Sequence, residues 1–273
     1  MTAPTKKCIF CGSPNLTKEH IFSRWTHRYM PPRAKGRVPS QVGTLYPDKD
    51  ARRLVKLPGQ VRDWQIKCVC GGNDSTCNNG WMRKIEDRAK PILVPLIQGK
   101  PTRLSEEAQA TIASWAVLKA MVAEYDVNGQ VTTHWTHRRM IRDRQLPPSN
   151  GWGVWIGYYQ RVNWRPQWSS SAFLVQSRRM VARYGIRTPT HFNGNSTTQV
   201  IGNLFIQVIH FPMPDTFIRQ WQFPRLTGSI LRIWPTSGYF LRWPSLALSD
   251  KDADRIANAV AKYIEDVAGS LSR

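Results

Sequence analysis

The chain has 273 residues, with 39 Lys and Arg against 18 Asp and Glu, a formal net charge of +21. That length suits two modest domains or one large one with a hydrophobic core, and without a long uncharged apolar run no membrane span is expected. A surface so basic draws a polyanion by counterion release, which favours DNA or RNA; an anionic membrane is the weaker partner because no strongly basic amphipathic helix is visible.

The leader ending in Thr5-Lys6-Lys7 has no signal-type apolar core, so a cytoplasmic location is expected. All five cysteines follow within the first third of the chain. Cys8 and Cys11 have the spacing with which a tight turn grips one side of a zinc ion, and a second pair would complete the tetrahedron. Cys77 supplies one of that pair. Asp74, three residues earlier, is a poor ligand among thiolates, so the other ligand is Cys70 by first choice, across the loop 71–76. Cys68 stays open, because residues two apart on a strand share a face.

Between the cysteine groups lies Glu19-His20, after the turn-rich Gly12-Ser13-Pro14-Asn15 and the extended Leu16-Thr17-Lys18. A neutral imidazole can take a proton from water, and an adjacent carboxylate can hold a divalent cation that receives a phosphate. Ser23–Met30 reads as a short helical turn stopped by Pro31-Pro32, with Arg24, His27 and Arg28 available to phosphate. Residues 33–60 read as a long basic loop, and 61–69 as a strand with Val61, Trp64 and Ile66 inward. A helix is predicted from Asn78 to Leu96, with Trp81, Ile85, Ala89, Ile92 or Leu93, and Leu96 on its buried stripe and Arg83 and Lys84 off it or at its edge. Pro91 and Pro95 should kink or end that helix.

The order CxxC, acid-His-Ile, then Cys…Cys-Asn opening a helix resembles the HNH endonucleases, the zinc-containing branch of the ββα-metal (His-Me finger) nucleases. The resemblance covers about residues 6–90, and Lys18-Glu19-His20-Ile21-Phe22 with Cys77-Asn78-Asn79-Gly80-Trp81-Met82 is similar to a subset of bacterial and phage proteins of that group. It implies that His20 is the general base and that Glu19 and Asn78 hold a catalytic Mg²⁺ or Mn²⁺, beside the structural Zn²⁺. The family's middle Asn has no counterpart, since no Asn stands between Asn15 and Asn73; Gln60, Asp63, Asp48 or a backbone carbonyl could hold the base instead. Glu19 is also one methylene longer than the family's usual Asp.

A boundary is expected at residues 99–104. Ser105, with Glu106 and Glu107, should cap a helix to about Tyr125 whose stripe is Ala108, Ile112, Trp115, Ala116, Val122 and Ala123. Lys119 interrupts that stripe and is expected to carry its charge out to water. A basic helix is predicted over Thr136–Gln145, with His137, Arg138, Arg139, Arg142 and Arg144 as a groove contact or a solvated face. Beyond Pro147-Pro148 the runs 154–159, 172–175, 200–211 and 230–234 read as an antiparallel sheet. A helix over Asp250–Val267, capped by Ser249, should cover one face through Ile256, Val260, Ile264 and Val267. The tryptophans of this half, interleaved with arginines, read mainly as core, and any that are exposed beside an arginine would stack on bases.

The expected architecture is therefore α+β: a zinc-braced ββα-metal (HNH) domain over 1–99 and a mixed helix and antiparallel-sheet domain over 105–273 that positions substrate or senses a partner. The expected activity is endonucleolytic hydrolysis of phosphodiester bonds, in DNA rather than RNA on the strength of the resemblance, by nicking or double-strand cleavage. The expected site is His20, Glu19 and Asn78, with Arg24, His27, Arg28, Arg83 and Lys84 on nucleic acid and Cys8, Cys11, Cys70 and Cys77 on zinc. Two other readings stand beside it: an inactive, zinc-containing nucleic-acid-binding protein, and a phage-defence effector controlled by a regulatory protein.

Overall fold

The computed structural model describes residues 7–30, 38–42, 53–57, 61–73, 75–125, 131–148, 150–160, 168–173, 193–211, 223, 226 and 228–258. Within them the chain is a mixed α+β protein. Strand β1 (Leu16–His20) pairs antiparallel with a partner 45 residues later in sequence at its far end, where His20 faces Gln65. The segment expected to be a basic loop holds a hairpin instead, β2 (Val38–Val42) against β3 (Arg53–Leu57). Val38 and Val42 in one run and Leu54, Val55 and Leu57 in the other favour extended backbone, and the high charge around them masked it. Arg33, Lys35, Arg37, Asp48, Arg52 and Gln60 lie outside the described residues.

Residues 61–63 form a 3-10 turn, so β4 starts only at Gln65 and runs to Cys70. Ile66 is buried, and Trp64 packs against the same core. A wide turn over Asn78–Met82 then leads into helix α1 (Arg83–Ile97). Gly80, at φ −88° and ψ −107°, breaks what was read as one continuous helix. Helix α1 contains both Pro91 and Pro95 and ends two residues after the second. Its stripe of Ile85, Ala89, Leu93, Leu96 and Ile97 is buried, while Pro91 and Asp87, whose carbonyl loses its partner, are exposed to water.

Strand β5 (Thr102–Leu104) occupies the expected boundary and pairs antiparallel with β11 (Leu241–Trp243) from near the other end of the chain. Helix α2 (Glu106–Ala123) follows, its N-terminus closed by Ser105, whose Oγ accepts the Ala108 N–H at 3.2 Å. Every residue from Ile112 to Ala123 is buried. A helix apolar all round belongs in an interior, and α2 packs on α1 on one side and on the sheet on the other. Helix α3 (Trp135–Arg144) starts at His134, whose ring Nδ1 accepts the Thr136 N–H.

The main sheet has the order β10 (Ile230–Trp234), β6 (Trp152–Tyr159), β9 (Leu204–His210), β8 (Gly194–Ile201), β7 (Trp168–Phe173), all antiparallel, and β12 (Ala247–Leu248) joins β6 in parallel. The run expected as one strand over 200–211 is a hairpin that turns at Gly202-Asn203. Gly202 sits at φ +57°, and a Cβ there would meet the Ile97 carbonyl oxygen at 2.6 Å, so both the turn and its seat on the end of α1 require glycine. Strand alternation divides the sheet's side chains between two cores. Val154, Ile156, Ile206 and Val208 join the core that extends through α2 and α1 to the cysteines. Trp155, Tyr159, Phe205 and Ile209 face a second core with Ala253 and Ile256, from a helix that begins at 250 and reaches 258 at the limit of the described residues. Ser249 and Asp252 cap it reciprocally. Val260, Ile264 and Val267 lie outside the described residues.

Among the tryptophans, Trp115, Trp152, Trp155 and Trp243 are buried and Trp25, Trp64, Trp81, Trp168 and Trp234 pack against the core. No helix among the described residues is long and apolar enough to cross a membrane.

Candidate metal centre and the histidine at the far end of its hairpin

Four thiols converge at one end of the β1–β4 hairpin: the sulfurs of Cys8, Cys11, Cys70 and Cys77 all lie within 4.8 Å of one another. Cys8 and Cys11 sit on a tight knuckle in which the Gly12 N–H donates to the Cys8 carbonyl at 2.9 Å. Cys70 ends β4, and Cys77 precedes the wide turn and donates its backbone N–H to Cys70 Sγ at 3.2 Å. The Cys11 and Cys70 sulfurs are 3.5 Å apart. A tetrahedral zinc with Zn–S of about 2.3 Å places its sulfurs roughly 3.8 Å apart, so the donor set fits a single structural zinc. The hydrogen bond with Cys77 outweighs burial and draws the Cys8 thiol down to about 4, while that same bond and burial push Cys77 up. Four sulfurs this close cannot all ionise without a cation among them.

Cys68 is the cysteine left out. Thr17 pairs with Val69 but Lys18 with Lys67, so Cys68 is the extra residue of a bulge and does not share a face with Cys70. It is fully buried, and burial raises its thiol far above the ordinary value.

His20 closes β1 and is half-buried. The Gln65 amide nitrogen, directly across the hairpin, lies 3.0 Å from its Nε2 in an exposed contact, as donor to a neutral ring. Its Nδ1 is buried without a hydrogen bond. Burial, then the neighbouring His27, Lys119 and Arg24, lower its pKa, so the ring is neutral at physiological pH. His27 stands with its ring centroid 5.3 Å away, edge to face, with Nε2 3.2 Å from the Phe22 carbonyl and Nδ1 3.7 Å from Asp63. Asp63, a candidate to hold the base, therefore serves His27, and Gln65 is the residue that meets His20. Regular pairing carried on from Leu16–Cys70 would have put Ile66 opposite His20; the bulge after Thr17 brings Gln65 there instead.

Alternation along β1 turns Glu19 inward, away from His20. Its carboxylate lies 2.5 Å from Lys119 Nζ, which is also 2.6 Å from Glu86 Oε1 and donates to the His20 carbonyl at 3.2 Å. Ser23 Oγ donates to Glu86 in turn and accepts from the Trp115 indole N–H at 3.2 Å. The Lys119 side chain is 1% exposed, so its charge does not reach water as expected. Burial opposes that charge, but Glu19 and Glu86 outweigh it and raise the pKa of Lys119. Burial likewise pushes Glu86 up, yet Lys119 and Ser23 bring it net below its ordinary value. A lone lysine in the apolar face of α2 was the sequence signal; its partners were not legible.

The chain matches no protein-family model, no curated protein and no solved structure.

Asn78 does not meet Glu19. Its amide donates to Thr17 Oγ1 at 3.2 Å, two residues back along β1. Among the described residues the four cysteines are the one group of three or more Cys, His, Asp or Glu side chains close enough to share an ion. With Glu19 held by an ammonium and Asn78 by a hydroxyl, these residues do not fit a divalent ion bound between them.

Arg24 and Arg28 lie exposed on the 3-10 turn Arg24–Tyr29 that carries His27. Arg28 stacks over Tyr29, and both line a groove of about 470 Å³ with Lys100, Gln98 and Asn203. Arg83 is 68% exposed and faces Asp87 at 3.7 Å, and Lys84 is exposed. The basic helix α3 is less free than its sequence suggests. Arg138 turns inward to the Thr133 carbonyl at 2.6 Å and to Glu124, and Arg142 donates to the Phe10 carbonyl at 3.2 Å.

Proposed function

We propose that the chain is a zinc-braced nuclease that hydrolyses phosphodiester bonds with His20 as general base. The observation that carries the reading is a neutral His20 whose Nε2 lies on the exposed side, at the end of a hairpin that four thiols tie to the turn before α1. Water or substrate replaces the exposed Gln65 contact, and Nε2 takes a proton from the water as its oxygen bonds to phosphorus. The bond to the leaving oxygen breaks, and that oxygen is protonated from solvent. Arg24 and Arg28 offset the charge that develops on the phosphate. DNA is preferred to RNA through the HNH resemblance, and the net charge of +21 supports a polyanionic substrate. Action as a phage-defence effector under a regulatory partner belongs to the same reading.

A second reading is favoured by the pairing of Glu19 with Lys119, which engages the carboxylate that the resemblance gives to a catalytic ion. In it the protein binds nucleic acid on its zinc scaffold without cutting. Supercoiled plasmid incubated with the wild type and with His20→Ala, in Mg²⁺, Mn²⁺ or EDTA, separates the two. Loss of nicking by about 10²–10⁴-fold in the variant, with binding retained, is expected of a general base. The lowered pKa of His20 sets the acidic limb of the wild-type rate below pH 6.5, with a plateau by neutral pH. Nicking unchanged by His20→Ala refutes the assignment of the base, and salt-sensitive binding with no cleavage under any condition selects the second reading.

A further inference from the structure

We propose that the Lys119 ammonium is a built-in cation of the His20 centre: it neutralises Glu19 where the resemblance assigns a divalent ion, and it fixes His20 through that residue's backbone carbonyl. The catalytic consequence rests on His20 being the base; the cation assignment does not.

An ammonium has three N–H donors, and Lys119 has three acceptors, Glu19 Oε1, Glu86 Oε1 and the His20 carbonyl. No donor remains for a substrate, so Lys119 is a positioning residue and not a catalytic one. Both carboxylate oxygens lie within 2.6 Å of one nitrogen and so no more than about 5 Å apart, whereas a Mg²⁺ with bonds of about 2.1 Å spans at most about 4.2 Å, and could take both only by expelling the ammonium from between them. A divalent ion and a buried ammonium cannot share that space, because two positive charges a few ångströms apart in a dry site repel strongly.

The ammonium is also firmly delivered. Lys119 projects from the buried part of α2, Ile112–Ala123, and one turn earlier on the same helix Trp115 holds Ser23, which in turn holds Glu86. The helix thus grips β1 and α1 at two points, both next to His20. Because α2 lies outside the stretch that resembles a nuclease, this chain completes its centre with a residue from beyond the motif.

The test is a Mn²⁺ titration followed by electron paramagnetic resonance on the zinc-loaded full chain. The wild type is expected to show no Mn²⁺ site that depends on Glu19. Lys119→Ala, with the ammonium gone and the two carboxylates left facing each other, is expected to bind Mn²⁺ at least tenfold more tightly, and Lys119→Ala with Glu19→Gln to lose that gain. A Mn²⁺ site in the wild type that Glu19→Gln removes overturns the proposal. So does a Lys119→Ala protein that keeps its zinc and native tryptophan emission yet gains no site. If Lys119→Ala does not fold, nitrogen-15 spectroscopy of the wild type decides. A protected Lys119 ammonium resonance unmoved by Mg²⁺ supports the proposal, and its shift or loss on adding Mg²⁺ overturns it. Nicking that persists in EDTA while zinc stays bound agrees with it, whereas nicking abolished by EDTA with zinc retained overturns it and leaves His20 as the base. A protein that never nicks counts against the nuclease reading alone, and the Mn²⁺ result still decides the place of the cation.

Discussion

Replacing Lys119 with Met keeps the length of the side chain and removes its charge, so two carboxylates packed against α2 lose their shared cation. Removing one partner of a buried ion pair costs about 3–5 kcal/mol, because the charge left behind is uncompensated. The Lys119 side chain is 1% exposed and that of Glu19 11%, which argues for the full penalty at Glu19; Glu86, at 25% and still bonded to Ser23, can partly rehydrate. The expected loss is therefore about 3–4 kcal/mol, a large fraction of the ~5–15 kcal/mol that holds a typical protein folded. Denaturant unfolding of the zinc-loaded chain measures it. Adding Glu19→Gln and Glu86→Gln to Lys119→Met should restore most of the loss, since neutral amides need no cation.

The pH dependence of that loss has a definite sign. Glu86 has a folded pKa below its ordinary 4.5, so its contribution is present above that value and is lost as pH falls through the folded pKa. Lys119 has a folded pKa above its ordinary 10.5, so its contribution is complete below that value and is lost only as pH rises through the folded one. In Lys119→Met, acid relieves the charge stranded at Glu86, whose lowered pKa depends on Lys119. The deficit should be largest near pH 7 and shrink towards pH 4. A deficit below about 1 kcal/mol, or one that is the same at pH 7 and pH 4, would refute the reasoning, since that is the scale of an exposed pair.

Metal analysis should find one zinc per chain, lost on Cys8→Ser, Cys11→Ser, Cys70→Ser or Cys77→Ser, whereas Cys68→Ala keeps it and costs only ~1 kcal/mol in unfolding assays. DNA affinity should fall as salt rises, and Arg24→Ala and Arg28→Ala should each lower the slope of log K against log salt by about one if each side chain meets a phosphate. An unchanged slope would remove these residues from the interface. Ser105→Ala, which deletes the cap of α2, should cost about 1 kcal/mol of stability without altering zinc content, as thermal unfolding with metal analysis can check.

Local signals in the chain were read correctly where one residue type has one physical use. The CxxC knuckle, the Ser105 and Ser249 caps and the apolar stripe of α1 are such cases, since each depends on neighbours within a turn or two. The choice between Cys68 and Cys70 was open because ideal alternation puts both on one face; the bulge that separates them depends on how β1 lies on β4, across the whole 33–60 segment. The prolines inside α1 show the same division between local and distant effects. Their cost is local, but the burial that outweighs it comes from α2.

What the sequence determined by itself is the excess of positive charge, the α+β class and three of the four sulfurs able to take a metal, because composition and short spacings encode them; Cys70 over Cys68 came from the bulge. Only the tertiary structure decided what surrounds His20: Gln65 across the hairpin, Glu19 turned inward, and Lys119 brought from 100 residues away to lie between Glu19 and Glu86. A buried charge has no identity until its counter-charges are in place, and those arrive from elements that no local pattern links.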